Sequence, residues 1–287
     1  MNSLYFNLVS LRFLLLILLL ASCQPALKVK QPELKVTSVN LIQEQGFNFK
    51  DLNKNGILDF YEDWRNSSEV RAADLVSKMS LEEKIGFMII STIRMENEGG
   101  FGGSPSEYPI GDGFNETDIV TEQNFFTRVP MAEPFMSSAG TTKAIQDFHE
   151  RHFILRSNPD VKTLASWHNL LQSFCEAQPL GIPAIIASNP RNHVVSDAAV
   201  GLSLGKTVFS QWPGELGLSA TRDLDLIQTF ADMARQEWRA VGLRKGYMYM
   251  ADLSTEPRWQ RIEGTFGEDP EWVAQVISAV VKGFQGP

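Results

Sequence analysis

Apolar and polar positions follow one another along this chain in an order that predicts helices leading into short, buried strands. Leu224–Val241 has apolar residues at helical spacing with polar residues between them, which predicts an amphipathic helix. The apolar run Tyr247–Ala251 predicts a strand that ends at Asp252 in a loop dense in charged and aromatic residues. Helix, strand and charged loop in this order are typical of α/β barrels and doubly wound sheets, whose ligands bind on the loops after the strands.

Further elements are predicted upstream by capping residues and by apolar periodicity. Two helices are expected in succession, the first capped by Ser67 or Ser68 and the second opened by a capping box of Ser80 with Glu83. Apolar runs predict buried strands, and helical spacing predicts two more helices. The predicted strands are Ile85–Ile93, Phe153–Leu155 and Leu180–Ser188, and the predicted helices are Lys143–His152 and Ala165–Ala177.

The N-terminal residues, 1–23, have the pattern of an export signal. Arg12 supplies a positive charge before the apolar run Phe13–Leu20, which is too short to span a bilayer as a helix. The tetrapeptide LASC that ends at Cys23 resembles a bacterial lipobox, which implies a lipid-anchored protein of the cell envelope, in the outer membrane or periplasm. The alternative is a membrane anchor that stays in place. Residues 24–48 contain prolines, lysines and glutamines without a clear period, which predicts a tether.

Composition narrows the class of protein. The chain of 287 residues is 43% hydrophobic and 21% charged, which suits a globular protein with a sizeable core. Its net charge of −8 and pI of about 5.1 give no support to a nucleic-acid partner. The two cysteines, Cys23 and Cys175, provide no disulfide framework, and Cys175 is expected to be a buried free thiol.

An oxygen-rich segment follows the tether, within residues 49–64. Residues 51–62, DLNKNGILDFYE, match the calcium-loop pattern D-x-[DN]-x-[DN]-G-x5-E without a gap, and Gly56 permits its sharp turn. The expected calcium ligands are the side chains of Asp51, Asn53, Asn55, Asp59 and Glu62 and the backbone carbonyl of Ile57. A single loop predicts a structural site rather than a sensor pair. The alternative is a solvated turn rich in Asn and Asp.

Residues 95–140 are rich in glycine and proline and predict a long loop at the rim of the domain. The glycines lack the spacing of a phosphate-binding fingerprint. In the helix predicted after them, His149 and His152 would share one face, but the sequence offers no third metal ligand nearby. Packed or solvated histidines are therefore expected there rather than a metal site.

The loop after the predicted strand Tyr247–Ala251 carries the longest motif. Its residues 257–270, PRWQRIEGTFGEDP, resemble the xDPRWGRxEETFGEDP signature of glycoside hydrolase family 3, to which many exo-acting β-glucosidases belong. This chain departs from the signature at Glu256, Gln260 and Gly264. Other segments that resemble the family are VRAADLVSKMSLEEKIGFM (70–88), the apolar strand before Asn189, FSQWPGELGLSATRD (209–223) and EWRAVG (237–242).

The resemblance implies a fold and a set of sugar-binding residues. Residues 65–287 would form the N-terminal portion of a (β/α)8 TIM-like barrel, an α/β fold that is incomplete in this chain. Arg261 matches the family's sugar-binding arginine, and Asn189 stands where the family has an acidic residue that binds hydroxyls of the terminal sugar. Asp252, at the predicted strand end, would bind sugar or brace Arg261.

These positions also have structural interpretations. Arg261 would instead form a salt bridge with Glu263 or Glu268, and Asn189 would be the polar end of a strand. Trp259 would stack on a sugar ring or pack in the interior. Arg258 is expected to be structural.

The implied reaction is the release of terminal β-linked sugars, with glucose expected, by a retaining mechanism. Retention requires two carboxyl groups about 5–5.5 Å apart. In the family, the nucleophile and a Lys-His pair that grips the sugar lie downstream of the GEDP motif, and no residue here matches the nucleophile. We therefore assign no catalytic residue. By itself the chain is expected to be inactive and, because half a barrel leaves strand edges open, poorly soluble.

Two other functions remain open. A non-catalytic, carbohydrate-binding or scaffold lipoprotein derived from the same fold would explain the neutral Asn189 and the missing carboxylates. A β-xylosidase or an N-acetylglucosaminidase would use the same fold on another sugar. In the hydrolase interpretations the partner is an oligosaccharide or β-glucoside substrate, no organic cofactor is expected, and calcium is a structural ion.

Overall fold

The computed structural model describes residues 29–99, 108–124, 127–193, 208–259 and 261–286. The predicted export signal at residues 1–23, with Cys23, lies outside the described residues. Within the described ranges, the helices are too short or too polar to cross a membrane. The structure is built from α-helices, one parallel sheet and two small antiparallel sheets.

The first element is a β-hairpin of strands β1 (Leu41–Glu44) and β2 (Phe47–Lys50). The two residues between the strands both have positive φ, as two-residue hairpin turns of type I′ require. Phe47 and Phe49 lie on one face of β2 and each contacts the Trp64 ring at a centroid distance of 5.5 Å. This hairpin corrects the predicted tether, residues 24–48, because the alternating aromatic residues of β2 bury its final part against the domain.

Two capped helices follow, α1 (Ser68–Lys78) and α2 (Leu81–Met88). Ser67 is the N-cap of α1, and the predicted capping box of Ser80 with Glu83 is present at the start of α2. Strand β3 is shorter than predicted and spans Ile90–Ile93. Residues 85–88 of the predicted strand belong to α2, because the capping box starts a helix that continues through them.

Part of the predicted loop at residues 95–140 is an antiparallel pair, β4 (Ile119–Gln123) with β5 (Pro130–Ser138). The next helix, α3 (Thr141–Gln146), is shorter than the predicted Lys143–His152. His149 lies beyond it with a positive φ, and His152 opens strand β6 (His152–Leu155). The two histidines therefore do not share a helical face, which corrects that prediction.

The main sheet contains four parallel strands in the order β3, β6, β7, β8. The remaining elements are α4 (Val161–Glu176), β7 (Ile185–Ser188), α5 (Glu215–Ala220), α6 (Leu224–Val241), β8 (Lys245–Gly246), a 3₁₀ turn (Ile262–Gly264) and α7 (Pro270–Gln285). Among the described residues, each strand of this sheet pairs with the next parallel strand in chain order, without the reversal of a doubly wound sheet. Successive parallel strands connected through helices confirm the α/β fold class and the barrel portion expected from the sequence.

Strand β8 is shorter than the predicted Tyr247–Ala251 and lies before it. The last hydrogen bond between β7 and this segment runs from Tyr247 N–H to the Ser188 carbonyl, at 2.8 Å. Beyond Ser188 the partner strand has ended, and Pro190 has no N–H to continue a ladder. The apolar residues 247–251 therefore lie past the sheet.

Two apolar clusters hold these elements together. One lies between the parallel sheet and helices α4 and α6, and includes Trp167, Phe153 and Trp238. The other lies between α6 and α7 and includes Phe230 and Phe266. Cys175 is a buried free thiol in the first cluster, as predicted, and burial raises its pKa to about 11.

Candidate functional site

Polar side chains follow the parallel strands at the edge where all four strands end. Arg94, Arg156, Asn189 and Tyr247 come directly after β3, β6, β7 and β8. Because carboxyl ends of parallel strands share one edge of a sheet, these residues lie along what we call the strand-end edge. This is the edge at which α/β barrels bind their ligands.

Asn189 is buried at this edge, with 2% of its surface exposed. Its Oδ1 accepts a hydrogen bond from Arg156 Nη1 at 3.1 Å. The prediction placed Asn189 at a strand end but gave no role to Arg156. A charged residue directly after the short strand Phe153–Leu155 was the signal that would have identified it.

Arg191 is a second buried arginine of the loop after β7, with 2% of its surface exposed. Its guanidinium donates to the Leu155 carbonyl at 3.0 Å and to the Ser157 carbonyl at 2.7 Å. Burial lowers its pKa to about 10. These bonds fasten the loop after β7 to the end of β6, so Arg191 shapes the edge rather than lining it.

Glu98 brings a carboxylate to the edge from the glycine-rich segment. It accepts the Met95 N–H at 2.9 Å and a hydrogen bond from the Ser157 hydroxyl. Burial raises its pKa, and these hydrogen bonds and the charges of Arg94 and Arg191 partly offset that effect. The sequence offered no periodicity or motif around Glu98 from which this position was predictable.

Helix α6 supports the loop after β7. Asn192 is fully buried, and its Nδ2 donates to Glu237 Oε2 at 2.6 Å while its Oδ1 accepts the Trp238 indole N–H at 2.9 Å. Glu237 also accepts the Ser210 N–H at 3.1 Å. Glu237 and Trp238 of the EWRAVG segment therefore fix the loops around residues 189–193 and 208–212.

The loop after β8 is held differently. Asp252 is exposed, and Arg258 is paired with Glu256 at 2.8 Å on the surface. Arg261 is partly buried, and its Nε lies in the interior without a hydrogen-bond partner. Among the described residues, no ion pair joins Arg261 to Asp252, Glu263 or Glu268, so its predicted salt bridges are absent there.

The end of the GEDP motif has a structural role. Asp269 is the N-cap of α7 and its Oδ1 accepts the N–H groups of Glu271 at 3.0 Å and Trp272 at 3.3 Å. Pro270 occupies the first turn, where a missing N–H costs nothing. The motif therefore starts the helix that packs against α6.

A partly buried cluster of titratable groups joins the loop after β7 to the loop after β8. His193 of the first loop contacts Tyr249 of the second edge to face, with ring centroids 5.8 Å apart. Glu215, at the start of α5, lies 3.7 Å from His193 Nε2. Burial, and next the charge of Glu263, raise the pKa of Glu215 to about 7, while burial lowers the pKa of His193. In both residues, burial favours the uncharged form.

The oxygen-rich segment at residues 51–62 folds into a loop beside α1 and α4. Gly56 has a φ of 76° and donates its N–H to Asp51 Oδ2 at 3.1 Å. Glu62 accepts the N–H groups of Leu52 at 2.7 Å and Asp59 at 2.9 Å. Across the described ranges, no three His, Cys, Asp or Glu side chains already form a metal cage.

Comparisons with known proteins agree on one family. Residues 140–287 match the profile described as "Glycosyl hydrolase family 3 N terminal domain". The chain is 38% identical to the periplasmic β-glucosidase/β-xylosidase of Dickeya chrysanthemi, over 90% of this chain and 35% of that protein. It is 34% identical to β-glucosidase C of Emericella nidulans, over 83% of this chain and 33% of that protein. The chain thus spans about a third of the length of these relatives.

A solved structure shows a weaker likeness. The β-N-acetylhexosaminidase of Beutenbergia cavernae DSM 12333 matches 72% of this chain and 51% of its own, with 18% identity and a TM-score of 0.49.

Proposed function

The chain belongs to glycosyl hydrolase family 3, and from that membership we propose that its protein releases terminal β-linked sugars from oligosaccharides or β-glucosides with retention of configuration. The observation that carries the proposal is the match of residues 140–287 to the N-terminal domain of this family. The names of two relatives, β-glucosidase/β-xylosidase and β-glucosidase C, support glucose or xylose at the cleaved end.

Arg261, Asn189 and Asp252 are the sugar-binding residues of this proposal. The buried Nε of Arg261 has an unused hydrogen-bond donor, and a hydroxyl oxygen of a sugar would satisfy it. The exposed Asp252 lies on the same loop and offers acceptor oxygens to hydroxyl groups. The nucleophile and the acid/base are not assigned to residues of this chain.

The test is hydrolysis by the product of the complete reading frame. We expect release of nitrophenol from nitrophenyl β-glucoside or β-xyloside, with nitrophenyl β-N-acetylglucosaminide as the third substrate. Proton NMR of the first sugar released is expected to show the β-anomer, as a retaining mechanism requires. Absence of hydrolysis with all three substrates, or release of the α-anomer first, would contradict the proposal.

One observation favours a second candidate, a carbohydrate-binding lipoprotein without hydrolytic activity. Asn189 replaces an acidic residue, and its Oδ1 already accepts a hydrogen bond from Arg156. In this alternative the family's sugar contact has become a structural one. Calorimetric titration with cellobiose and xylobiose separates the candidates, because binding without turnover of the nitrophenyl substrates supports the second.

We also propose that the protein is exported and lipid-anchored through Cys23. The support is the lipobox-like LASC tetrapeptide and the periplasmic relative of Dickeya chrysanthemi. Metabolic labelling with an alkyne fatty acid is expected to tag the protein in a bacterial host. Cys23→Ser is expected to abolish the label, and a label that persists in this variant would rule out anchoring at Cys23.

A further inference from the structure

The calcium-loop pattern at residues 51–62 contains none of the sugar-binding residues proposed above. We propose that this loop, which we call the oxygen loop, binds one Ca²⁺ ion that fastens the N-terminal hairpin to the barrel portion. The ligands are oxygens of Asp51, Asn53, Asn55, Asp59 and Glu62 and the carbonyl of Ile57.

One carboxylate oxygen of Asp51 has no hydrogen-bond partner. Asp51 has 5% of its surface exposed, and its Oδ1 is buried without a hydrogen-bond partner. Its Oδ2 faces the turn of the oxygen loop, where it accepts the Gly56 N–H at 3.1 Å. A buried carboxylate oxygen without a partner is costly, and a cation at the centre of the loop would remove that cost.

The carboxylate of Glu62 is already held in place by hydrogen bonds. Glu62 has 4% of its surface exposed and closes the loop by accepting the N–H groups of Leu52, Asn53 and Asp59. The two ends of the oxygen loop, Asp51 and Glu62, therefore lie side by side before any ion binds. Such preorganisation lowers the entropy lost on binding.

An ammonium group competes with the ion. Lys78 Nζ lies 3.0 Å from Asp59 Oδ1, and the amide nitrogens of Asn53 and Asn55 donate to Asp59 Oδ2 at 2.6 and 2.8 Å. Lys78 thus offsets the charge of Asp59, and Ca²⁺ would have to displace this ammonium group to bind there. We therefore expect a weak site, with a dissociation constant of about 10⁻⁴–10⁻³ M, the range of extracellular calcium modules.

The donor set determines which ion fits. All the ligands are oxygens, which suits hard cations and disfavours zinc or copper. The ligands come from alternating positions of one turn and from Glu62, and Ca²⁺ tolerates irregular shells of 6–8 oxygens. Mg²⁺ requires a near-ideal octahedron at about 2.0–2.1 Å and is expected to bind more weakly.

The ion would act on the fold through contacts of the oxygen loop with the segment that leads into β7. Lys54 Nζ donates to the Gln178 carbonyl at 2.7 Å, and the Tyr61 hydroxyl donates to the Leu180 carbonyl at 3.4 Å. Gly181 has a φ of 58° and lies so close to Leu52 that a side chain there would collide with it. Ordering the loop therefore stabilises the segment before the strand that positions Asn189.

The test uses the full chain with the metals alone. Tb³⁺ bound in the oxygen loop is expected to luminesce through Tyr61 and to be displaced by Ca²⁺ at a tenfold lower concentration than by Mg²⁺. Ca²⁺ at about 100 times its dissociation constant is expected to raise Tm by roughly 5 °C relative to a chelator. Luminescence that Ca²⁺ does not displace, together with an unchanged Tm, would overturn the proposal.

Three variants and one control distinguish this site from general binding of cations to acidic residues. Asp51→Asn keeps the shape of the side chain and is expected to lower the affinity for Ca²⁺ at least tenfold. Asn55→Ala, at an exposed position, is expected to lower this affinity about threefold or more. Asp63→Asn, which removes a carboxylate just outside the oxygen loop, is the matched control and is expected to change affinity less than twofold. Lys78→Gln removes the competing ammonium and is expected to tighten binding several-fold. Equal affinity in Asn55→Ala, Lys78→Gln and the unaltered chain would overturn the assignment.

Discussion

In the loop after β7, Arg191 donates hydrogen bonds to the Leu155 and Ser157 carbonyls, whereas in the loop after β8 the Nε of Arg261 has no partner. The two strands are neighbours, so both loops begin at the same edge of one sheet. The first loop is further locked by Asn192 and Glu237. Arg191, whose hydrogen bonds are made within the protein, supports the site, whereas the Nε of Arg261 has hydrogen-bonding capacity left for a ligand.

The largest effect is expected from a variant that removes hydrogen bonds from the loop after β7. Arg191→Met keeps much of the side-chain length but leaves the carbonyls of Leu155 and Ser157 without their donor. We expect the free energy of unfolding to fall by about 3–5 kcal/mol, because each buried carbonyl left without a donor costs about 1–3 kcal/mol. Urea titration at neutral pH measures the free energy of unfolding of the variant and of the unaltered protein. The control, Arg258→Met, removes an exposed arginine and is expected to change stability by about 0.5 kcal/mol or less.

The second prediction concerns Glu215, which lies beside the contact between the two loops. Its pKa is raised to about 7 from an ordinary 4.5, so the folded protein keeps this proton where the unfolded chain has lost it. The stability from this group is therefore complete below about pH 4.5 and declines as the pH rises to 7, by about 3 kcal/mol. Glu215→Gln mimics the protonated form and is expected to remove that decline.

Unfolding free energies at pH 4.5, 6 and 8 measure the slope of stability with pH in both proteins. Glu271→Gln, an exposed glutamate in the first turn of α7, serves as the control and is expected to leave the slope unchanged. An equal slope of unfolding free energy with pH in the unaltered protein and in Glu215→Gln would contradict the prediction. It would mean that water reaches Glu215 at the contact between the loops.

The third prediction tests the second loop. Arg261→Met removes the Nε, which has no hydrogen-bond partner within the described residues. We expect the affinity for a glucose-derived inhibitor to fall by about 1.5–3 kcal/mol, the usual worth of a hydrogen bond to a charged group, with stability changed by less than about 1 kcal/mol. Calorimetry and urea titration give the two values. A large loss of stability with unchanged affinity would make Arg261 a structural residue like Arg191.

The smallest expected effect comes from Asn189→Asp. The carboxylate would still accept from Arg156, through a charge-assisted bond, so stability is expected to change by about 1 kcal/mol or less. If Asn189 contacts the sugar, affinity is expected to rise a few-fold, because a carboxylate is the stronger acceptor for hydroxyl groups. Asn192→Asp is the contrasting variant, since it would set a carboxylate against Glu237. Unchanged affinity in Asn189→Asp would favour a purely structural Asn189.

Several elements were predictable because their signals are local. The capping box of Ser80 with Glu83 lies where the sequence placed it, and Ser67, one of the two predicted candidates, caps α1. The helix Leu224–Val241 has the predicted bounds, since its apolar periodicity, its Asp cap and the C-terminal Gly242 agree. The predicted β3 began too early, and the predicted strand Tyr247–Ala251 lies entirely past β8. An apolar run does not show where a helix stops or where a neighbouring strand ceases to pair.

The sequence by itself determined the features whose partners lie a few residues apart: the helix caps and the order of oxygens at residues 51–62. The geometry of the caps follows from backbone dihedrals and short side chains. Only the tertiary structure decided which arginine is satisfied and which is not. Arg156 reaches Asn189 across 33 positions, and Arg191 reaches Leu155 across 36. Such contacts depend on the register of parallel strands, which no local pattern specifies, because register is set by the packing of the whole sheet against its helices.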